Sequence, residues 1–88
     1  MDFRWNEWNL THIREHGIEP YEAEQVILAA RSPYPRRCEQ DKYLVWGPGL
    51  GGRLVQVVFA LDADQRVFAI HARLLTQGEK RAFRRRRR

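Results

Sequence analysis

Two imidazoles one helical turn apart, His12 and His16, and a histidine–arginine pair two residues apart, His71 and Arg73, are the groups in this 88-residue sequence best suited to chemistry. Histidine exchanges its proton near neutral pH, and arginine presents a fixed, forked cation to carboxylates and phosphates. Wound as a helix at about 100° per residue, residues 6–16 bring Trp8, His12 and His16 to one edge. Leu10 and Ile13 form the core stripe beside them, and Glu7, Thr11 and Arg14 point away. His12-Ile13-Arg14-Glu15-His16 also matches the H-x-x-E-H metal pattern. A third ligand is scarce, because His71 is the only other histidine and Glu15 lies about 60° around the helix from His12. No metal site is assigned. The two histidines are expected either to hydrogen-bond at a helix–sheet seam beside Trp8 or, for His16, to stand at a pocket rim.

The elements that must position these groups follow from periodicity and capping signals. Residues 2–5 read as a short opening strand, Asn6 as an N-cap, and Gly17 as the left-handed stop of the first helix. Pro20 opens a second helix to about Ala30, with Ala23, Val26, Ile27 and Ala30 on its buried face and Glu22, Glu24 and Gln25 outside. Residues 31–37 form a basic, Pro-punctuated loop. Residues 42–46 read as a strand broken by the Gly-rich run 47–52. Residues 53–61 and 65–74 are strongly β in pattern and joined by a polar tip at 62–64, a hairpin. Alternation along the second of these puts His71 and Arg73 on the face opposite Phe68, Ile70 and Ala72. Thr76-Gln77-Gly78-Glu79 has capping-box spacing and opens a last helix. The order β-α-α-β-β-β-α implies an α+β fold, two N-terminal helices on one face of a small antiparallel sheet with a C-terminal helix. Residues 1–83 are expected to form one domain and 84–88 a disordered basic tail.

Charge is distributed unevenly along the chain. The net charge is +5, and five of the sixteen basic residues are the terminal arginines from Arg84 to Arg88; the eleven that remain balance eleven acids. Residues 1–30 carry six acids against Arg4 and Arg14, whereas residues 31–83 carry nine bases against five acids. An acidic front and a basic back suit contact between the C-terminal half and a polyanion, although a terminal arginine run also serves simply as a solvated end. The lone Cys38 excludes an internal disulfide and a Cys-based zinc site and fits a reducing compartment. The N-terminus lacks the apolar run of a signal peptide, and the longest near-apolar stretch, 55–61, is strand-sized. A cytoplasmic protein with no membrane contact is expected.

The order of motifs resembles the BrnT family of type II toxins, within the broad RelE/ParE-like fold group. The matches are Trp5-Asn6, Trp8-Asn9, His12-Ile13 and His16-Gly17, then Tyr21-Glu22-Ala23-Glu24 in the second helix. Downstream, Gly52-Arg53-Leu54-Val55-Gln56-Val57-Val58 resembles the family's Gly-Arg-entered strand. Ile70-His71-Ala72-Arg73 resembles its Ile-Ser-Ala-Arg strand, and Glu79-Lys80-Arg81 the start of its last helix. The resemblance spans residues 3 to about 83 and implies a RelE-like fold and a ribosome-independent ribonuclease. It also implies a cognate antitoxin encoded beside it, of the ribbon-helix-helix type. Three departures bear on activity: Glu15 where a lysine is usual, His12 where an asparagine is common, and His71 in place of serine.

Metal-free RNA cleavage uses the substrate's own 2′-hydroxyl as nucleophile, and needs a base near neutrality, an acid for the leaving oxygen and fixed cations on the phosphoryl group. On that chemistry the expected catalytic residues are His71 and Arg73, with His16 at the rim. Arg53 would enter from the adjacent strand and Arg81 from the last helix to bind phosphate, with no cofactor. Arg73 can instead pair with Glu79, and Trp46 can either stack a base or fill the core. The basic surface would meet both RNA and antitoxin, with Tyr43 or Phe83 as exposed anchors unless Phe83 folds back onto the sheet. A non-catalytic RelE-like domain that binds RNA or a protein is the alternative, and homodimerisation is left open.

Overall fold

The computed structural model describes residues 1–86. Helix α1 (Glu7–Arg14) starts where a reciprocal capping box satisfies two orphan amides. The Asn6 side chain accepts from the Asn9 N–H at 3.2 Å, and Asn9 Oδ1 accepts from the Asn6 N–H at 2.7 Å. Asn9 Nδ2 then donates to the Arg4 carbonyl at 3.1 Å. These bonds let Asn9 sit fully buried beside Ile13, while Leu10 is only half-buried. Gly17, at φ +78°, turns the chain into α2 (Pro20–Leu28). The latter buries Ala23, Val26 and Ile27 as expected, but Glu22 is buried with them instead of standing outside.

Four antiparallel strands follow: β1 (Arg36–Glu39), β2 (Lys42–Pro48), β3 (Leu54–Leu61) and β4 (Val67–Leu74), lying side by side in that order. A single 3-10 turn, Leu50–Gly52, links β2 to β3. Helix α3 (Gln77–Arg86) completes the chain. The α+β architecture, the hairpin and the Thr76 cap match the sequence reading, with two differences in the strands. The opening strand shrinks to one parallel bridge between Phe3 and Val67. The fourth strand is β1, formed from the Pro- and Arg-rich loop with every residue exposed. A strand with no buried face has no alternation to betray it.

Pairing registers define the two faces of the sheet, since directly opposed residues share a face. Val45, Val57 and Ala72 form one fully buried row, under the helices. Trp46, Gln56 and Arg73 form a row on the other face, and Leu44, Val58 and His71 the row beside it. Between Val58 and Phe59 the β4 register slips by one, leaving Ile70 as an extra residue. This bulge resets the alternation, so Phe68 lies on the face of His71 and Arg73, while Ala69 and Ala72 turn inward. The expected opposition of Phe68 to His71 therefore fails. Helix α1 packs against β4, and α2 against β2 and β3. Helix α3 includes Arg84 to Arg86, correcting the expected disordered tail over those residues; Arg87 and Arg88 lie outside the described residues. No helix among the described residues is long and apolar enough to cross a membrane.

Candidate active site

The expected edge of α1 exists, and it wraps the β4 margin of the sheet. The Trp8 ring stacks on His12 at 3.9 Å between centroids and on Phe68 at 5.9 Å. One turn on, His16 meets His71 edge to face at 5.2 Å. His12 is the structural member of the pair of helix histidines, because its Nδ1 lies 2.7 Å from the Trp8 carbonyl oxygen and its ring is covered by the indole. His16 is exposed and His71 half-buried. Burial holds the His71 imidazole below its ordinary pKa, and the neighbouring His16, Arg73 and His12 add to the effect against an opposing pull from Glu15. Two imidazoles thus meet at one edge of the sheet, one half-buried and one exposed.

Arg73 stands on the same face as His71, yet its fork is engaged. Nη1 and Nη2 donate to Glu79 Oε1 and Oε2 at 2.7 and 2.9 Å, and Nη2 also donates to Gln56 Oε1 at 3.2 Å. Gln56 Oε1 accepts the Trp46 indole N–H at 2.9 Å, so a polar row runs Trp46–Gln56–Arg73–Glu79 across the sheet onto α3. The Arg73 guanidinium and the Thr76 amide together pull the Glu79 carboxyl down to about 2. The pairing with Glu79 that competes with a phosphate-binding role is thus present.

Arg53 does not join this face. Its Nε and Nη2 donate to the buried Glu22 carboxylate at 2.9 and 2.6 Å, and Nη2 also reaches the Gly17 carbonyl at 3.0 Å. Glu22 Oε2 accepts the Leu50 N–H at 2.9 Å as well. A Cβ on Gly49 would collide with the same carboxylate. Arg81 is exposed and has no ion pair among the described residues. Of the five sequence-expected site residues, the structure brings together His16, His71 and Arg73, and sets Arg53 at the α1–α2 junction.

Of the two possible anchors, Phe83 takes the alternative left open for it and neither is fully exposed. Phe83 is a buried core residue, and Tyr43 is half-buried with its ring stacked on Phe59 at 5.4 Å. Three side chains take places that the sequence reading did not give them: Glu22, expected outside, is buried, and Gln56 and Tyr34 are buried as well. Glu22 carried a signal in its register, four residues before Val26 on the helix; Gln56 carried one as the polar interruption of an apolar strand. Tyr34, between two prolines, carried none.

No family model and no curated protein matches this chain by sequence. A search of solved structures does find a counterpart, the 1.1 Å crystal structure of the Brucella abortus ribonuclease toxin BrnT. It superimposes with a TM-score of 0.67 at 21% identity, over 88% of this chain and 99% of that one. At that level of identity the likeness is one of architecture, and the chain has a BrnT-like fold.

Proposed function

We propose that this protein is a toxin of a type II toxin–antitoxin system, a metal-independent endoribonuclease that acts in the cytoplasm on RNA. The observation that carries the reading is the His16–His71 contact, beside Arg73 on one sheet face. Neutral His71 takes the proton of the 2′-hydroxyl as its oxygen attacks the adjacent phosphorus. His16 gives a proton to the departing 5′-oxygen as the P–O bond breaks, leaving a 2′,3′-cyclic phosphate and a free 5′-hydroxyl. Arg73 neutralises charge on the phosphoryl oxygens, exchanging one arm of its Glu79 pair for the substrate, and exposed Arg81 draws in the next phosphate. A cell that makes such an enzyme must neutralise it. A cognate antitoxin of the ribbon-helix-helix type that covers Arg73 and Arg81 with carboxylates would do so.

A second reading, a RelE-like domain that binds without cleaving, draws on one observation: the Arg73 fork is already occupied by Glu79 and Gln56. One assay separates the two. Purified protein incubated with RNA in EDTA should produce fragments ending in cyclic phosphate. His71→Ala or His16→Ala should each slow cleavage by about 10²-fold or more, the usual weight of general acid–base catalysis. RNA left intact, cleavage lost in EDTA, or a double variant as active as the parent would overturn the nuclease reading.

A further inference from the structure

The terminal arginines are helical where the structure describes them: Arg84, Arg85 and Arg86 form the last turn of α3, all exposed. The helix dipole favours cations at a C-terminus, which accounts for these three but not for their neighbours. Arg86 and Arg31, the latter from the loop after α2, line one cavity together with Tyr34 and Trp46. The Arg36 guanidinium stands 5.6 Å from the centre of the Tyr34 ring. Two distant segments of the chain therefore bring arginines to one corner of the molecule, at the opposite margin of the sheet from the histidines. Arg31, Arg36, Arg84, Arg85 and Arg86 are exposed and carry no ion pair among the described residues, whereas Arg53 and Arg73 are held on carboxylates. Gathered cations without counter-charge repel one another and raise the local concentration of anions.

Strand register connects this corner to the histidines. Arg36 pairs with Leu44, so it heads the row Leu44–Val58–His71 on the outer face of the sheet. Three strand spacings, about 14 Å, separate it from His71. Helix α3 makes a similar crossing. Glu79 in its first turn holds Arg73, and Arg86, about 10 Å further along the axis, reaches the cavity wall that Trp46 helps to form. At about 3.4 Å per phosphate along one stacked strand, a path from His71 to Arg36 takes roughly four nucleotides. Two kinds of polyanion fit such a path, an RNA backbone and an acidic protein segment. A protein partner is held chiefly by apolar anchors, and none of the large apolar side chains that the protein exposes belongs to residues 31–37 or to α3. A phosphodiester backbone needs only the cations, so the surface favours RNA.

We propose that Arg31, Arg36, Arg84, Arg85 and Arg86 form a phosphate track, which holds the backbone of single-stranded RNA without regard to base as it runs from the His16–His71 edge to the far margin of the sheet. The proposal rests on the ribonuclease reading for the cut at one end of the track, but its test is one of binding. In a His16→Ala, His71→Ala protein, affinity for a labelled RNA of about eight nucleotides, twice the span of the track, is measured by fluorescence anisotropy from about 50 to 200 mM KCl. Each phosphate contact on a single strand adds about 0.7 to the slope of log Kd against log salt, so the five should add about 3.5. Through them alone, the fourfold rise in salt should weaken binding by about 100-fold. Changing all five to glutamine should remove that part of the salt dependence. Changing them to lysine, which keeps each charge, should retain most of it, and circular dichroism checks that both proteins are folded. A dinucleotide, too short to reach the track from the histidines, should bind with the same shallow slope to the parent and to the glutamine protein. A slope untouched by glutamine, a slope lost equally with lysine, or a dinucleotide as salt-dependent as the longer RNA would each overturn the proposal. So would polyglutamate that binds more tightly than RNA of the same length, since the surface would then belong to an acidic protein. A steep, arginine-dependent slope with RNA left intact by the parent sinks the cleavage reading alone; cleaved RNA with an unaltered slope sinks the track alone.

Discussion

Glu22→Gln tests whether a buried carboxylate holds the α1–α2 junction to the Gly-rich loop. The side chain of Glu22 is 1% exposed and accepts three N–H groups, two from Arg53 and one from Leu50. Glutamine keeps the shape but removes the charge, and its own NH₂ must face a donor. Hydrogen bonds to a charged group are worth about 1.5–3 kcal/mol. The Arg53 side chain is 41% exposed, so water screens its share and the contribution of the Leu50 amide dominates. We expect a loss of about 2 kcal/mol near neutral pH, or roughly 8–16 °C in Tm for a domain of this size. The pH dependence sharpens the test. The Arg53 hydrogen bonds lower the Glu22 pKa from its ordinary 4.5 against the opposing effect of burial. Its stabilisation is therefore fully present above that value and lost as pH falls through the depressed one. Urea unfolding of both proteins should give a difference that is constant above about pH 5 and shrinks in acid. A difference below about 0.5 kcal/mol near neutrality, or one that persists unchanged in acid, would refute the reasoning.

Three further outcomes are expected. NMR titration should find His71 with a midpoint below 6.5 that rises in His16→Ala, because burial lowers it first and His16 next; a midpoint at or above 6.5 would remove the neutral base. Glu79→Gln should cost about 1 kcal/mol, through a screened ion pair and the α3 cap, while raising RNA affinity by freeing Arg73; unaltered affinity would mean that Arg73 does not touch RNA. Asn9→Ala should lower stability by about 2 kcal/mol, since it removes both a cap acceptor and a buried donor to Arg4; a loss confined to a few tenths on thermal melting would show that the capping box adds little.

Where an element is decided by neighbours in the chain, its residues announce it. Thr76 and Glu79 cap α3 through two mutual bonds, and Asn6 caps α1. What the sequence hid are features decided by distant partners. Asn9 and Glu22 look like solvent-facing residues until Arg4, Leu50 and Arg53 are folded against them. The alternation rule fails in β4 because one added residue at Ile70 shifts the period, and nothing in its composition announces it. The Trp8–His12–His16 edge was legible from spacing alone, but its encounter with Phe68 and His71 depends on α1 lying along the margin of β4.

The two ends of the sheet are treated differently, and this governs how copies of the protein meet. At β4, the amide and carbonyl of Val67 bond to Asp2 and Arg4, so that the lateral hydrogen-bonding groups there are partly used up by the chain's own N-terminus. At β1 the margin is open, but it is four residues long, wholly exposed, and begins with Arg36 and Arg37. A second copy that extended the sheet there would gain only four residues of pairing, with two arginines from each copy held close on a fully exposed strand. Short, charged edges of this kind oppose the strand-to-strand accretion that leads to fibrils. A concentrated stock should therefore stay dispersed, and loss of those two charges should be the quickest way to make it aggregate.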